Sequence, residues 1–71
     1  MKTEKLKIII VGAGDAGREL LAEFQKHFPD YYEVIGFVDD DSKKVGLVVD
    51  NISVLGRIGD LSKLIKKHFE C

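Results

Sequence analysis

Leu6–Val11 (Leu-Lys-Ile-Ile-Ile-Val) is an almost unbroken β-branched run that ends at Gly12. A half-exposed strand would alternate apolar with polar, so this run predicts a central parallel strand covered on both faces. From Ala16 to Phe28 the period changes. Ala16, Leu20, Leu21, Phe24 and Phe28 fall at helical spacing, while Arg18, Glu19, Glu23, Gln25 and Lys26 lie elsewhere on the wheel. Phe28-Pro29-Asp30 stops that helix. Glu33–Val38 (Glu-Val-Ile-Gly-Phe-Val) reads as a second strand and ends abruptly in Asp39-Asp40-Asp41. The stretch Asp40–Gly46 is too short and too polar for a good helix. Ile52–Leu55 predicts a third strand. Val45–Val49 either pairs with it through an Asp50-Asn51 turn or is simply extended. Gly59 or Asp60 caps a last helix, on which Leu61, Leu64, Ile65, His68 and Phe69 share one face.

Strand and helix thus alternate, which argues for an α/β domain with a parallel sheet. Right-handed crossovers arrange about three strands in the order 3-2-1, with the two helices on opposite faces. No return strand follows the last helix, so the domain is expected to be an incomplete single unit spanning residues 1–71. The first strand, the most hydrophobic, then has an open edge. A second copy in a homodimer, missing sequence or a partner segment is expected to cover it.

Gly12-Ala13-Gly14-Asp15-Ala16-Gly17 sits where the first strand turns into the first helix. The pattern is Gly-x-Gly-x-x-Gly, and strand-before, helix-after is the context that gives it meaning. Gly12 permits the tight turn, Gly14 lets a pyrophosphate approach the backbone, and Gly17 lets the helix pack closely. The amides of Asp15, Ala16 and Gly17 would face the anion, helped by a helix dipole contributing about 0.3–1 kcal/mol. The Asp15 side chain is expected to turn to solvent or to cap the helix. These features specify a Rossmann-like fold, truncated after its third strand.

Asp39 lies about 20 residues past the loop, at the carboxyl end of the second strand, where an acid accepts hydrogen bonds from ribose hydroxyls. The same acid repels a 2′-phosphate, so NAD or NADH is favoured over NADP. Lys43 and Lys44 are nearby cations, outnumbered by three acids. Ala13, Arg18 and Asp40 are secondary candidates for the site. Arg18 reads first as a solvated helix position, and Asp40 and Asp41 as turn and cap residues. His27 is expected to meet carbonyls at its helix end. His68 and Cys71 have the spacing of half a metal site, but no second pair completes it, so no metal is expected. No nucleophile–base–orienter set is present, and no catalytic residue is assigned.

Composition narrows the setting. With 71 residues, 45% apolar and 32% charged, the chain has an ordinary globular make-up. A domain of this size buries only about 60% of its unfolded surface. A net charge of −1 gives no reason to expect nucleic acid or an anionic membrane as partner. One cysteine allows no internal disulfide, and the longest apolar run is far short of the ~20 residues that span a bilayer. The basic N-terminus leads straight into a strand and a glycine loop rather than a cleavage site. A cytoplasmic protein is expected.

Three blocks carry a more specific likeness. Ile9 through Leu21, Tyr32 through Asp41 and Val54 through Leu61 resemble, in order, the N-terminal nucleotide-binding domain of bacterial nucleoside-diphosphate-sugar epimerase/dehydratase proteins of polysaccharide biosynthesis. That domain is often grouped as CoA-binding-like. The resemblance implies nucleotide binding and assigns dehydratase or epimerase chemistry to a catalytic domain absent from this sequence. N-terminal domains of bacterial sugar O-acyltransferases are similar in the second and third blocks. They typically carry Gly-Gly-His where this chain has Gly14-Asp15-Ala16, a difference that counts against them. Redox-sensing repressors share a comparable NAD(H) domain, without their winged helix here. The expected function is an NAD(H)-binding module, non-catalytic alone. The alternatives are a nucleotide-sugar-binding domain or subunit of a dehydratase, epimerase or O-acyltransferase, taking a UDP-sugar or CoA, and an NAD(H)-sensing regulatory module.

Overall fold

The computed structural model describes residues 4–69. The first strand, β1 (Leu6–Val11), leads through the glycine loop into helix α1 (Asp15–His27) and then strand β2 (Tyr32–Val38). A short 3-10 turn (Ser42–Lys44) precedes strands β3 (Val48–Val49) and β4 (Ile52–Gly56). A second 3-10 turn (Ile58–Asp60) feeds helix α2 (Leu61–Phe69). The four-stranded sheet has the order β1-β2-β4-β3. The three long strands are parallel, and β3 pairs antiparallel with β4. The expected 3-2-1 order therefore holds, with a hairpin strand added beyond the third.

That hairpin decides between the two readings of the Val45–Val49 segment. Asp50 and Asn51 have φ of 52° and 70°. Two left-handed residues in a two-residue turn match the right-handed twist of a hairpin, and aspartate and asparagine tolerate that conformation better than most side chains. Gly46 N–H to Val54 O (2.9 Å) and Val54 N–H to Leu47 O (2.8 Å) extend the pairing past the two formal strand residues. The polar stretch after β2 forms no helix. It makes one 3-10 turn in which the Asp41 carboxylate accepts from Lys43 N–H at 2.9 Å.

Register places Ile10, Phe37 and Val54 side by side across β1, β2 and β4. All three are buried, and Leu21 of α1 closes over them with Ala13 from the loop. Ile8, Val34, Val49 and Ile52 pack round this cluster. Lys7 alternates with Ile8, so it emerges on the opposite face, and its Nζ donates to His68 O at 3.1 Å. This bond ties α2 to the face away from α1. The helices lie on both faces, as expected.

Both helices turn less of their apolar surface inward than the periodicity predicts. On α1 the line Gly17, Leu21, Phe24 meets the sheet, while Ala16, Leu20 and Phe28 are exposed. Leu20 stands about 100° round the axis from Leu21, and a sheet whose edge strand is β1 offers it no cover. On α2, Leu61, Leu64 and His68 are half-buried, whereas Ile65 and Phe69 are exposed. β1 itself occupies the sheet edge, with Leu6 65% and Val11 56% exposed. Among the described residues no strand covers its outer side.

α1 ends as its sequence requires. Phe28 N–H bonds to Phe24 O at 3.0 Å, and Pro29 then lacks the amide to continue the ladder. The rings of Phe24 and Phe28 meet Tyr32 edge-on at 5.2 and 5.8 Å, pinning the helix end to the start of β2. Leu6 N–H to Tyr31 O (2.8 Å) opens the β1–β2 pairing at the same place.

Phe37 is fully buried at the centre of the core row. Replacing it with alanine is expected to cost about 3–5 kcal/mol. A domain this small holds only a few kcal/mol in reserve, so Phe37→Ala should lose its cooperative urea transition by circular dichroism.

Candidate phosphate-loop site

The site forms where β1 leaves the sheet. Gly12 has φ +100°, a left-handed conformation that a side chain would strain, and its N–H donates to Val38 O at 2.7 Å. The chain thereby turns sharply at the carboxyl end of β1. Ala13 follows with its methyl group in the core cluster, which anchors the loop. Gly14 is the N-cap of α1 in extended conformation, with no side chain capping it. A Cβ built on Gly14 would meet nothing within 4 Å, so the space in front of that backbone is open.

The first intrahelical bond runs from Arg18 N–H to Gly14 O at 3.0 Å. The amides of Asp15, Ala16 and Gly17 therefore precede the ladder, as the opening amides of a helix must. Gly17 is the position of closest approach. A Cβ there would run into the Gly12 carbonyl oxygen and lie 3.4 Å from the Phe37 ring. The third glycine thus allows the helix to meet the loop's own turn as well as the sheet. Asp15 is exposed and makes no capping bond, so of its two expected roles it takes the solvent-facing one.

Asp39 is brought onto this loop. Its Oδ2 accepts from Ala13 N–H at 2.8 Å and its Oδ1 from Asp41 N–H at 2.9 Å. Lys44 Nζ stands 3.9 Å from Oδ2. The Ala13 amide, foremost, holds the Asp39 carboxyl below the usual carboxylate range. The Asp41 amide adds to this and the Lys44 ammonium contributes least, together outweighing the opposing effect of partial burial.

The remaining candidates sit elsewhere. Arg18 Nε bonds Asp50 Oδ2 at 3.4 Å, linking α1 to the hairpin turn, and both side chains are about half exposed. Such a pair stabilises by only about 0–1 kcal/mol. Asp40 is exposed next to the site. His27 Nε2 lies 3.3 Å from Glu23 Oε1, one helical turn back, in place of the carbonyls expected for it. Cys71 lies outside the described residues. Among those described, no three metal-ligating side chains converge, and no helix is long and apolar enough to cross a membrane. Asp60 caps the approach to α2 by accepting Arg57 N–H at 3.0 Å. Sequence spacing had put Asp39 near the loop, but it held no sign that the carboxylate bonds the loop backbone, nor that Asp50 takes Arg18.

A parallel sheet in 3-2-1 order, a glycine loop opening a helix and an acid at the end of the second strand define a Rossmann-type domain. Residues 7–71 match the family model of the PglD N-terminal domain. The chain belongs to that family. It is 34% identical over 65 residues to the redox-sensing transcriptional repressor Rex of Caldicellulosiruptor saccharolyticus, a match covering 92% of this chain and 29% of the repressor. It also resembles the crystal structure of UDP-D-quinovosamine 4-dehydrogenase from Vibrio fischeri, with a TM-score of 0.78 and 37% identity. That alignment covers 92% of this chain and 51% of the other. The crystal structure of RSP, a Rex-family repressor, shares the fold with a TM-score of 0.75 at 20% identity, over 92% of this chain and 30% of that one. The chain thus spans about half of the dehydrogenase chain and under a third of each repressor. A nucleotide-sugar enzyme among these relatives agrees with the family likeness read in the three sequence blocks.

Two outcomes follow from this geometry. Gly17→Ala forces the helix off the Gly12 carbonyl and should cost about 1–3 kcal/mol or more in urea unfolding. Because the Asp39 pKa is lowered on folding, its stabilisation is present above the unfolded value of about 3.9 and lost as pH falls through the folded value. The urea midpoint of Asp39→Asn should therefore fall less than that of the parent chain on acidification below pH about 4.

Proposed function

We propose that this chain is an NAD(H)-binding module related to the nucleotide-sugar enzymes of polysaccharide biosynthesis, non-catalytic by itself. The observation that carries the reading is the joining of the Gly12–Gly17 loop to Asp39 at the carboxyl ends of β1 and β2. Ligands of open α/β sheets bind at this end of the strands. Open space before Gly14 fits a pyrophosphate against the backbone, with the amides of Asp15, Ala16 and Gly17 as donors. Each Asp39 oxygen accepts one backbone amide and keeps acceptor capacity for a ribose hydroxyl. Arg18 is engaged by Asp50 and plays no part in this reading. When bound, the nicotinamide cofactor supplies hydride chemistry. The residues of this chain bind and orient it, and a further domain or partner supplies substrate and proton transfer. That further segment, or a second copy, would also cover the outer edge of β1. Nucleic acid is not a partner in this reading, given the net charge of −1.

One observation favours a second reading. The 34% identity to a redox-sensing repressor supports an NAD(H) sensor, in which the cofactor's redox state biases assembly. A nucleotide-sugar site is the remaining alternative, supported by the likeness to the dehydrogenase.

Calorimetric titration with NAD, NADH, NADP, CoA and UDP-sugars separates these readings. NAD and NADH are expected to bind, with NADP weaker because Asp39 opposes its 2′-phosphate. Binding of a UDP-sugar alone would move the chain to the nucleotide-sugar reading. Heat from none of them would sink the proposal. A change of sedimentation coefficient between the NAD and NADH forms would favour the sensor.

A further inference from the structure

Two successive amides of the loop are captured by the end of β2. Gly12 N–H goes to the backbone oxygen of Val38 at 2.7 Å, and Ala13 N–H goes to the Asp39 carboxylate at 2.8 Å. The side chain thus continues a ladder that the backbone can no longer extend, because Gly12 has already turned out of the strand at φ +100°. The other carboxylate oxygen is held by Asp41 N–H at 2.9 Å, which fixes its orientation. Asp39 N–H in turn donates to Gly56 O at 3.1 Å, anchoring the residue to β4. The carboxylate is therefore oriented before any ligand arrives.

We infer that Asp39 is a positioning residue for the phosphate loop itself, setting its pyrophosphate affinity independently of any contact with ribose. The inference deepens the dinucleotide reading and rests on the loop being an anion site. It differs from a pure ribose role in the sign of one effect. If Asp39 only met ribose, removing it would delete a negative charge near the loop and leave inorganic pyrophosphate bound as well or better. If Asp39 holds the loop, removing it frees Ala13 and the Gly14 backbone that follows, and pyrophosphate binding weakens.

The test uses inorganic pyrophosphate, which has no ribose, with the full chain, Asp39→Ala and Asp39→Asn. Both variants lack the charge, but only asparagine keeps an oxygen able to accept the Ala13 amide. Asp39→Ala is expected to bind pyrophosphate about tenfold more weakly, the scale of one lost charge-assisted hydrogen bond. Asp39→Asn should recover part of that loss. Amide hydrogen exchange supplies a second readout. In Asp39→Ala the Ala13 amide should lose protection while the Phe37 amide keeps it, which separates loosening of the loop from loss of the fold. If Asp39→Ala does not fold, Asp39→Asn decides, because it should still bind pyrophosphate more weakly than the parent, whereas loss of the charge alone would leave binding equal or tighter. Pyrophosphate binding by Asp39→Ala equal to or tighter than the parent's would overturn the inference, as would such binding by Asp39→Asn where Asp39→Ala does not fold. A parent chain that binds pyrophosphate but neither NAD nor NADH removes the dinucleotide reading and leaves this one standing. A parent chain that binds none of the three overturns both.

Discussion

The contact between Gly17 and the Gly12 carbonyl is the constraint on which the rest of the molecule depends. A Cβ at Gly17 would occupy the place of that oxygen, so the opening turn of α1 reaches the loop only because the residue lacks a side chain. The approach sets the height of the helix above the sheet. One turn further on, Leu21 can then reach the Ile10–Phe37–Val54 row and bury itself there. The same approach presses the Ala13 methyl into the core and leaves the first helical amides at the carboxyl end of β1. Packing and site share one piece of geometry.

β2 is the second organising element. It has β1 on one side and β4 on the other, and its last residues serve both. Val38 is fully buried, its backbone oxygen holds Gly12, and Asp39 reaches from its own backbone to Gly56 and from its side chain to Ala13. A chemical group thus stands at the point where the parallel ladder ends and the loop begins. That is where open α/β sheets place their ligands. Membership of the PglD N-terminal domain family fits this arrangement. Similar folds occur in a repressor and in a dehydrogenase, so the fold leaves the reaction undecided.

Much of this was legible along the chain because short-range patterns carry it. The nearly all-apolar run Leu6–Val11, the helical spacing after Gly17 and the glycine loop between them locate β1, α1 and the turn to within a residue or so. Phe28-Pro29 ends α1 because proline has no amide to offer, a property of the residue itself. The positive φ at Asp50 and Asn51 is likewise a local property, and it allowed the hairpin without requiring it. The helix wheels were less informative. They show which residues are apolar but not how wide a sheet lies beneath, so Leu20 and Ile65 were expected inward and are exposed.

By itself, then, the sequence determined the order of elements, the loop and the presence of an acid about 20 residues beyond it, since each depends on neighbours in the chain. Tertiary structure decided what those residues touch. Arg18 turns to Asp50, His27 to Glu23 and Asp39 to the Ala13 amide. Arg18 and Asp39 find partners that are distant in the chain and close only after α1 crosses over β1 and β2. Hydrogen bonds are set by distance and direction in space, which spacing along the chain does not encode. The glycine loop was readable along the chain; that Asp39 accepts the Ala13 amide of that loop became visible only in the fold.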